Sequence, residues 1–161
     1  MKLTDREKEL RFKTALDAID EILDPSNIEN TLQNVCVILS ERIPYFDWVG
    51  FYLVDREREG ELVLGPYVGA PTEHVRIPFG KGICGQAAER KETFVVQDVS
   101  QEDNYLACSV EVKSEIVVPI MSGDRVLGEL DIDSHELEPF SDVDRRYLET
   151  LCNRLATLLG E

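Results

Sequence analysis

Apolar residues recur at helical spacing toward both ends of the chain. Within residues 1–44, apolar positions three and four apart predict two amphipathic helices, separated by the DPSN sequence at 24–27. Pro44 follows the second of them. A third helix is predicted over 141–159, where Ser141 can cap the first turn with the help of an aspartate three residues later. Helices therefore flank the middle of the chain on both sides.

The pattern changes to a period of two between residues 48 and 134, which is typical of half-buried strands. The charged turn at 55–60 and the MSGD turn at 121–124 each separate two strands and predict antiparallel hairpins. Two short strands and a short helix near ICGQAAERK, residues 83–91, lie between the hairpins. We predict one α+β domain over 1–161, with a five- to six-stranded antiparallel sheet and the N- and C-terminal helices packed on one face.

The charge of the chain excludes some partner classes. Its 161 residues carry 32 acidic and 17 basic side chains, a net charge of -15. Nucleic acid and anionic membranes require a basic surface, so we expect neither as a partner. The first ten residues, MKLTDREKEL, are charged where a signal peptide would be apolar, and we expect a cytoplasmic protein. An apolar helix face left uncovered would provide a homodimer interface.

The four cysteines lack the spacing of a metal site. There is no C-x-x-C pair and no histidine at ligand spacing, so no metal is expected. In a reducing compartment the thiols are expected to be free. Cys36 and Cys152 lie beside the apolar stripes of their helices and are predicted to fill the core. Cys108 lies in the polar stretch 100–114, a long loop of the kind that is usually functional or disordered.

The segment FGKGICGQAAE at 79–89 contains a G-x-G-x-x-G pattern around Cys84. A dinucleotide site would need a longer helix after the glycines and a crossover of about 30 residues, and Pro78 suits an edge strand better than a central one. We therefore favour a tight turn that places Cys84 in the first turn of a helix. There the helix dipole and Lys81 would lower the pKa of the thiol. A small residue packed at a helix start explains the position equally well.

Five blocks between residues 48 and 134 resemble GAF domains, and among them the free methionine-(R)-sulfoxide reductases. The blocks occur in the order of that family. They are WVGFYL, LVLGPYVG, VRIPFGKGICG, LACS followed by SEIVVPI, and GELDIDS. The resemblance implies a GAF-like fold and a thiol-dependent reductase that needs no bound cofactor. Its substrate would be free methionine sulfoxide, and thioredoxin or a similar thiol would donate the electrons.

The resemblance also implies roles for individual residues. The catalytic cysteine of the family falls on Cys108, its carboxylates fall on Glu115, Asp131 and Asp133, and Cys84 matches a second redox cysteine. Since Asp131 and Asp133 are two apart on a predicted strand, their side chains share one face. Proximity should raise the pKa of at least one carboxyl, which could then protonate a sulfoxide oxygen, while ionised carboxylates could hold the ammonium group.

Three aromatic residues of the WVGFYL block are candidates for the apolar wall of the pocket. They are Trp48, Phe51 and Tyr52, and core packing explains each of them as well.

Two positions depart from the family pattern. The family usually has a cysteine before the VRIP block where this chain has His74, and the stretch after the catalytic cysteine reads SVEVK at 109–113. The loss leaves Cys84 or an external thiol to resolve a Cys108 sulfenic acid. His74 could itself help to deprotonate Cys108, or could be a solvated loop residue. The alternative function is a non-catalytic GAF module that binds a small molecule or senses redox state.

Overall fold

The computed structural model describes residues 2–106 and 109–160. Its helices are α1 (Asp5–Ile22), α2 (Ile28–Arg42), α3 (Gly82–Arg90) and α4 (Asp142–Leu159), with a short 3₁₀ helix at Val99–Gln101. Its strands are β1 (Trp48–Val54), β2 (Glu61–Val68), β3 (Arg76–Pro78), β4 (Phe94–Val96), β5 (Ser114–Ser122) and β6 (Arg125–Ser134). They form one antiparallel sheet in the order β3-β2-β1-β6-β5-β4. The predicted fold class and both predicted hairpins are confirmed.

The two faces of the sheet are covered differently. Helices α1, α2 and α4 pack on one face, over alternate apolar residues of the central strands such as Phe51, Leu130 and Ile132. Helix α3 packs on the opposite face, where a smaller apolar cluster includes Ile83 and Tyr52. The prediction that the terminal helices share one face is confirmed. The acidic side chains that alternate with Leu130 and Ile132 along β6 must therefore point toward α3.

Two of the cysteines fill the core, as predicted. Cys36 and Cys152 are buried in the cluster between the sheet and the terminal helices. Burial raises the pKa of Cys36 to about 12 and also raises the pKa of Cys152, so both thiols stay protonated at neutral pH. Within the described ranges, none of the helices is long and apolar enough to cross a membrane.

A buried ion pair ties the N-terminal helix to the C-terminal one. The Lys8 ammonium donates to the Asp144 carboxylate at 2.7 Å and to the carbonyl oxygen of Pro139 at 2.7 Å. The other carboxylate oxygen of Asp144 accepts from the hydroxyl of Tyr45. The backbone N–H of Ser141 also donates to Asp144 at 2.8 Å, which confirms the predicted cap of α4. Both charges are thus removed from water and fully hydrogen-bonded.

Replacing Lys8 with alanine should lower the free energy of unfolding by about 3–5 kcal/mol, because it leaves the Asp144 charge buried without its cation. Urea unfolding would measure the loss. The matched control is Arg154→Ala, which breaks an exposed ion pair with Asp20 between the same two helices. That change should cost less than about 1 kcal/mol. Equal losses in the two variants would contradict the role given to burial.

Candidate functional site

The glycine segment before α3 closes on itself rather than around a ligand. Gly80 and Gly82 have φ of +87° and +68°, which glycine adopts without strain. The N–H of Gly80 donates to the carbonyl oxygen of Gly85 at 2.7 Å. The N–H of Gly85 donates to the carbonyl oxygen of Lys81 at 3.0 Å. The N–H of Gly82 donates to the Asn104 side chain at 2.8 Å. These amides are already paired, so they do not form a phosphate cradle.

Gly85 allows α3 to approach the sheet closely. A side chain there would bring a Cβ to 2.5 Å from the carbonyl oxygen of Pro78, which lies in the edge strand β3 as predicted. Because the backbone of β3 cannot move away cheaply, glycine is needed at this contact. The close packing sets Cys84, one residue earlier, against the sheet.

Strand β6 presents a row of buried carboxyl groups to α3. Glu129, Asp131 and Asp133 alternate along the strand and are 0%, 2% and 1% exposed. Glu115 on β5 is 5% exposed and lies directly opposite Asp133 in the strand register. The structure therefore brings together Glu115, Asp131 and Asp133, which the sequence places on two neighbouring strands.

The thiol of Cys84 lies among these carboxyl groups. Its Sγ is 3.9 Å from Oε2 of Glu115, and donor atoms of Cys84, Glu115 and Asp131 all lie within 4.8 Å of one another. Burial raises the pKa of the Cys84 thiol well above its usual range, and the charges of Asp131, Glu129 and Glu115 raise it further. The predicted lowering of this pKa by Lys81 and the helix start is wrong, because burial and three neighbouring acidic groups outweigh both.

The acids of β6 are also shifted toward their protonated forms. Burial is the largest cause for Glu129, Asp131 and Asp133, and the charge of Asp131 adds to the rise for the other two. Hydrogen bonding with Glu115 works in the opposite direction for Asp131 and Asp133. The predicted rise in pKa is confirmed, with burial as its main cause. The row can therefore hold protons at neutral pH.

A small cavity lies between α3, the acid row and the segment before residue 107. Its volume of about 10 Å³ is the room of about one water molecule. Nine residues line it: Tyr52, His74, Ile77, Gly82, Ile83, Cys84, Leu106, Glu115 and Asp131. The cavity thus combines an apolar wall with one thiol, two carboxyl groups and an imidazole.

The aromatic candidates occupy three different environments. Tyr52 lines the cavity, and its hydroxyl donates to the carbonyl oxygen of His74 at 2.8 Å. Trp48 lies on the same face of the sheet, opposite Asp133, and stacks on Tyr67 with ring centroids 5.3 Å apart. Phe51 lies on the opposite face, within the core under the terminal helices. This placement corrects the prediction for Phe51, which cannot contact a molecule in the cavity.

Cys108, the predicted catalytic cysteine, lies outside the described residues. The chain reaches the cavity at Leu106, two residues earlier in the sequence, and is described again from Ser109. His74, which stands where the family usually has a cysteine, lines the cavity as a half-buried residue and is not fully solvated. Of the two predicted redox cysteines, the structure therefore places Cys84 alone.

A family model for the GAF domain matches residues 25–159. The chain belongs to the GAF domain family. It is 40% identical over 149 residues to the GAF domain-containing protein A of Dictyostelium discoideum, an alignment that covers 92% of each chain. The resemblance found in the sequence blocks is confirmed.

Two further relatives of this GAF domain carry a functional name. The free methionine-R-sulfoxide reductase of Escherichia coli is 39% identical over 130 residues, which cover 81% of this chain and 76% of the relative. The X-ray structure of the free methionine-R-sulfoxide reductase from Neisseria meningitidis in complex with its substrate is 36% identical with a TM-score of 0.85. That alignment covers 99% of this chain and 93% of the other.

Sequence reasoning missed one member of the acid row in this GAF domain. Glu129 precedes Asp131 by two residues in GELDIDS, so strict alternation along β6 was the signal that could have found it. Both of its carboxylate oxygens are buried and lack a hydrogen-bond partner among the residues that the structure describes. Its carboxyl group lies close enough to Cys84 to affect the pKa of the thiol.

The Glu129→Gln variant should unfold with a different pH dependence from the parent GAF domain. Because folding raises the pKa of Glu129, its contribution to stability is complete below the usual glutamate pKa, near 4.3, and is lost as the pH rises toward the folded value. The variant should therefore be more stable at pH 7.5, by about 1–3 kcal/mol, and equal to the parent near pH 4.

Urea unfolding at both pH values measures the difference. The control is Glu59→Gln at an exposed residue, and its free energy of unfolding should not differ from that of the parent at either pH. A constant difference between Glu129→Gln and the parent from pH 4 to 7.5 would show that Glu129 does not titrate abnormally.

Proposed function

We propose that this chain reduces free methionine-(R)-sulfoxide to methionine with electrons from thioredoxin or a similar thiol. The observation that carries the proposal is the cavity where Cys84, Glu115 and Asp131 meet. Its wall includes Leu106, two residues before Cys108 in the sequence. This chain is also similar to proteins named as free methionine-R-sulfoxide reductases.

In the first step, Cys108 attacks the sulfur of the sulfoxide. A carboxyl group of the acid row, for which Asp131 is the best placed in the cavity, protonates the sulfoxide oxygen. The sulfur–oxygen bond breaks as the hydroxyl group moves from the substrate sulfur to Sγ of Cys108. The new sulfur–sulfur bond then breaks, methionine leaves, and Cys108 is left as a sulfenic acid. The sulfoxide is reduced by two electrons and the cysteine is oxidised by two. Burial favours the protonated carboxyl that this step needs.

Substrate recognition would use the remaining carboxylates. Glu115 and Asp133 face each other across β5 and β6 at the end of the acid row, and the ammonium group of a free amino acid is a cation that would favour their ionised forms. Tyr52 and Ile77 supply apolar contacts for the thioether chain. Methionine sulfoxide is larger than the cavity, so binding requires the side chains over it, such as Leu106, to move.

The sulfenic acid must then be removed by a second thiol. Cys84 can condense with it, forming a disulfide and releasing water, and a dithiol reductant returns both cysteines to thiols. The thiol of Cys84 must lose its proton in this step, and the neighbouring carboxylates can accept it. His74 cannot form the disulfide that a cysteine at this position would allow.

The test is turnover of the purified chain with the separate (R) and (S) isomers of free methionine sulfoxide. Dithiothreitol and a thioredoxin system would serve as reductants, and methionine would be quantified by mass spectrometry. We expect methionine from the (R) isomer alone. Failure with both reductants would refute the proposal.

A second candidate function is a non-catalytic module that binds a small molecule. It is favoured by the Dictyostelium relative, which matches along 92% of its length and whose name states a GAF domain only. Saturable binding of the (R) isomer by calorimetry, without any methionine formed, would favour this second function.

A further inference from the structure

The centre of the acid row has the donor set of a transition-metal site. The sulfur of Cys84 and one oxygen each from Glu115 and Asp131 lie within 4.8 Å of one another, and all three residues are buried. Around a tetrahedral Zn²⁺, sulfur and oxygen ligands are about 3.5–3.7 Å apart, as follows from the bond lengths. The 3.9 Å between Sγ of Cys84 and Oε2 of Glu115 is within a few tenths of an ångström of that spacing.

A second observation supports the binding of a cation at this place. Oδ1 of Asp131 and both carboxylate oxygens of Glu129 are buried and have no hydrogen-bond partner within residues 2–106 and 109–160. Buried carboxylates are rarely left in this state, because proteins pair them, protonate them or bind a metal with them. Lys81, three residues before Cys84, and Lys113, two residues before Glu115, are both exposed. The adjoining cavity has room for about one water molecule or ion.

We propose that the reduced protein binds one Zn²⁺ ion through Cys84, Glu115 and Asp131, with Glu129 or a water molecule in the fourth position. A thiolate among the ligands favours zinc over Mg²⁺ or Ca²⁺, which prefer oxygen ligands alone. The two positive charges of Zn²⁺ would offset part of the negative charge of the acid row. The site would take up zinc with release of the proton of Cys84, since a metal binds the thiolate.

The site escapes the usual sequence criterion for zinc. That criterion looks for cysteines and histidines a few residues apart, and on that basis no metal was expected. Here each ligand comes from a different element: Cys84 from α3, Glu115 from β5 and Asp131 from β6. A binding site of this kind is visible only when the sheet register and the position of α3 are known.

One consequence rests on the proposed function. Zinc would occupy the thiol and carboxylates that the reductase reaction uses, so bound zinc would inhibit that reaction. The binding itself does not depend on the reaction, and it can be tested with no sulfoxide present.

The experiment is a titration of the reduced, metal-free protein with Co²⁺, a spectroscopic substitute for Zn²⁺. We expect thiolate-to-cobalt charge-transfer absorption that saturates at one ion per chain and disappears when Zn²⁺ is added. Calorimetry with Zn²⁺ in buffers of different ionisation enthalpy should show at least one proton released per ion. Absence of saturable absorption at one equivalent would overturn the proposal.

Variants identify the ligands. Cys84→Ser should abolish the charge-transfer absorption, and Asp131→Asn should weaken Zn²⁺ binding by at least the roughly 10–100-fold that is lost with outer-shell partners. Cys152→Ser changes a buried cysteine in the core on the other face of the sheet and should keep the absorption. Circular dichroism would establish that each variant is folded. Absorption that persists in Cys84→Ser and vanishes in Cys108→Ser would place the metal elsewhere and refute the assignment.

Discussion

Replacing Cys108 with serine should abolish the formation of methionine from free methionine-(R)-sulfoxide. The loss should be at least about 10⁴-fold, as is typical when the nucleophile of a covalent mechanism is removed. The first turnover, which needs no reductant, should be lost as well, because the sulfenic acid forms on this residue. Rapid quenching of enzyme mixed with the sulfoxide, followed by quantification of methionine per chain, measures that turnover.

The Cys84→Ser variant provides the contrast. It keeps the nucleophile, so one methionine per chain should still form without reductant. Sustained turnover with thioredoxin should fall by about tenfold or more, because the variant cannot form the internal disulfide that thioredoxin would reduce. Dithiothreitol should restore sustained turnover. A Cys108→Ser variant that still yields one methionine per chain would remove Cys108 from the mechanism. Unchanged thioredoxin-dependent turnover in Cys84→Ser would remove Cys84 as the resolving thiol.

Replacing Asp131 with asparagine should lower kcat for the same substrate by about 10²–10⁴-fold. Asparagine has nearly the same shape and can still form hydrogen bonds, but it has no acidic proton to transfer to the sulfoxide oxygen. The effect should fall mainly on kcat, since Glu115 and Asp133 remain to hold the ammonium group. Steady-state kinetics over a range of pH values would measure both constants.

Asp124→Asn is the matched control for this aspartate. Asp124 is exposed in the turn between β5 and β6, at the opposite end of the hairpin from the acid row, and its replacement should leave kcat unchanged. If the Asp131 variant keeps kcat within tenfold of the parent, another group must supply the proton.

Most of the fold could be predicted from periodicity and turn residues. The DPSN break, Pro44 and the Ser141 cap marked the ends of helices, and the alternation in β1 and β6 showed which residues share a face. These are local signals, set by the geometry of helices and strands, and they survive in the tertiary structure. The position of α3 on the second face was not predictable, because its few apolar residues do not indicate which face they cover.

The candidate site could be predicted only in part, because some of its properties depend on contacts between elements that local patterns do not show. The shared face of Asp131 and Asp133 follows from a two-residue spacing, and it is present in the structure. The protonation of Cys84 could not be foreseen, because it depends on burial and on charges from two other elements, β5 and β6. Phe51 was assigned to the cavity from its neighbourhood in the sequence, although a strand places adjacent residues on opposite faces.

The two outermost strands of the sheet also affect how this protein behaves at high concentration. Both β3 and β4 have only three residues, and β3 ends in Pro78, which has no N–H to donate. Open sheet edges promote aggregation when they are long and regular, and these edges are neither. A continuous sheet between neighbouring copies is therefore disfavoured, and concentrated solutions of the folded protein should resist fibril formation.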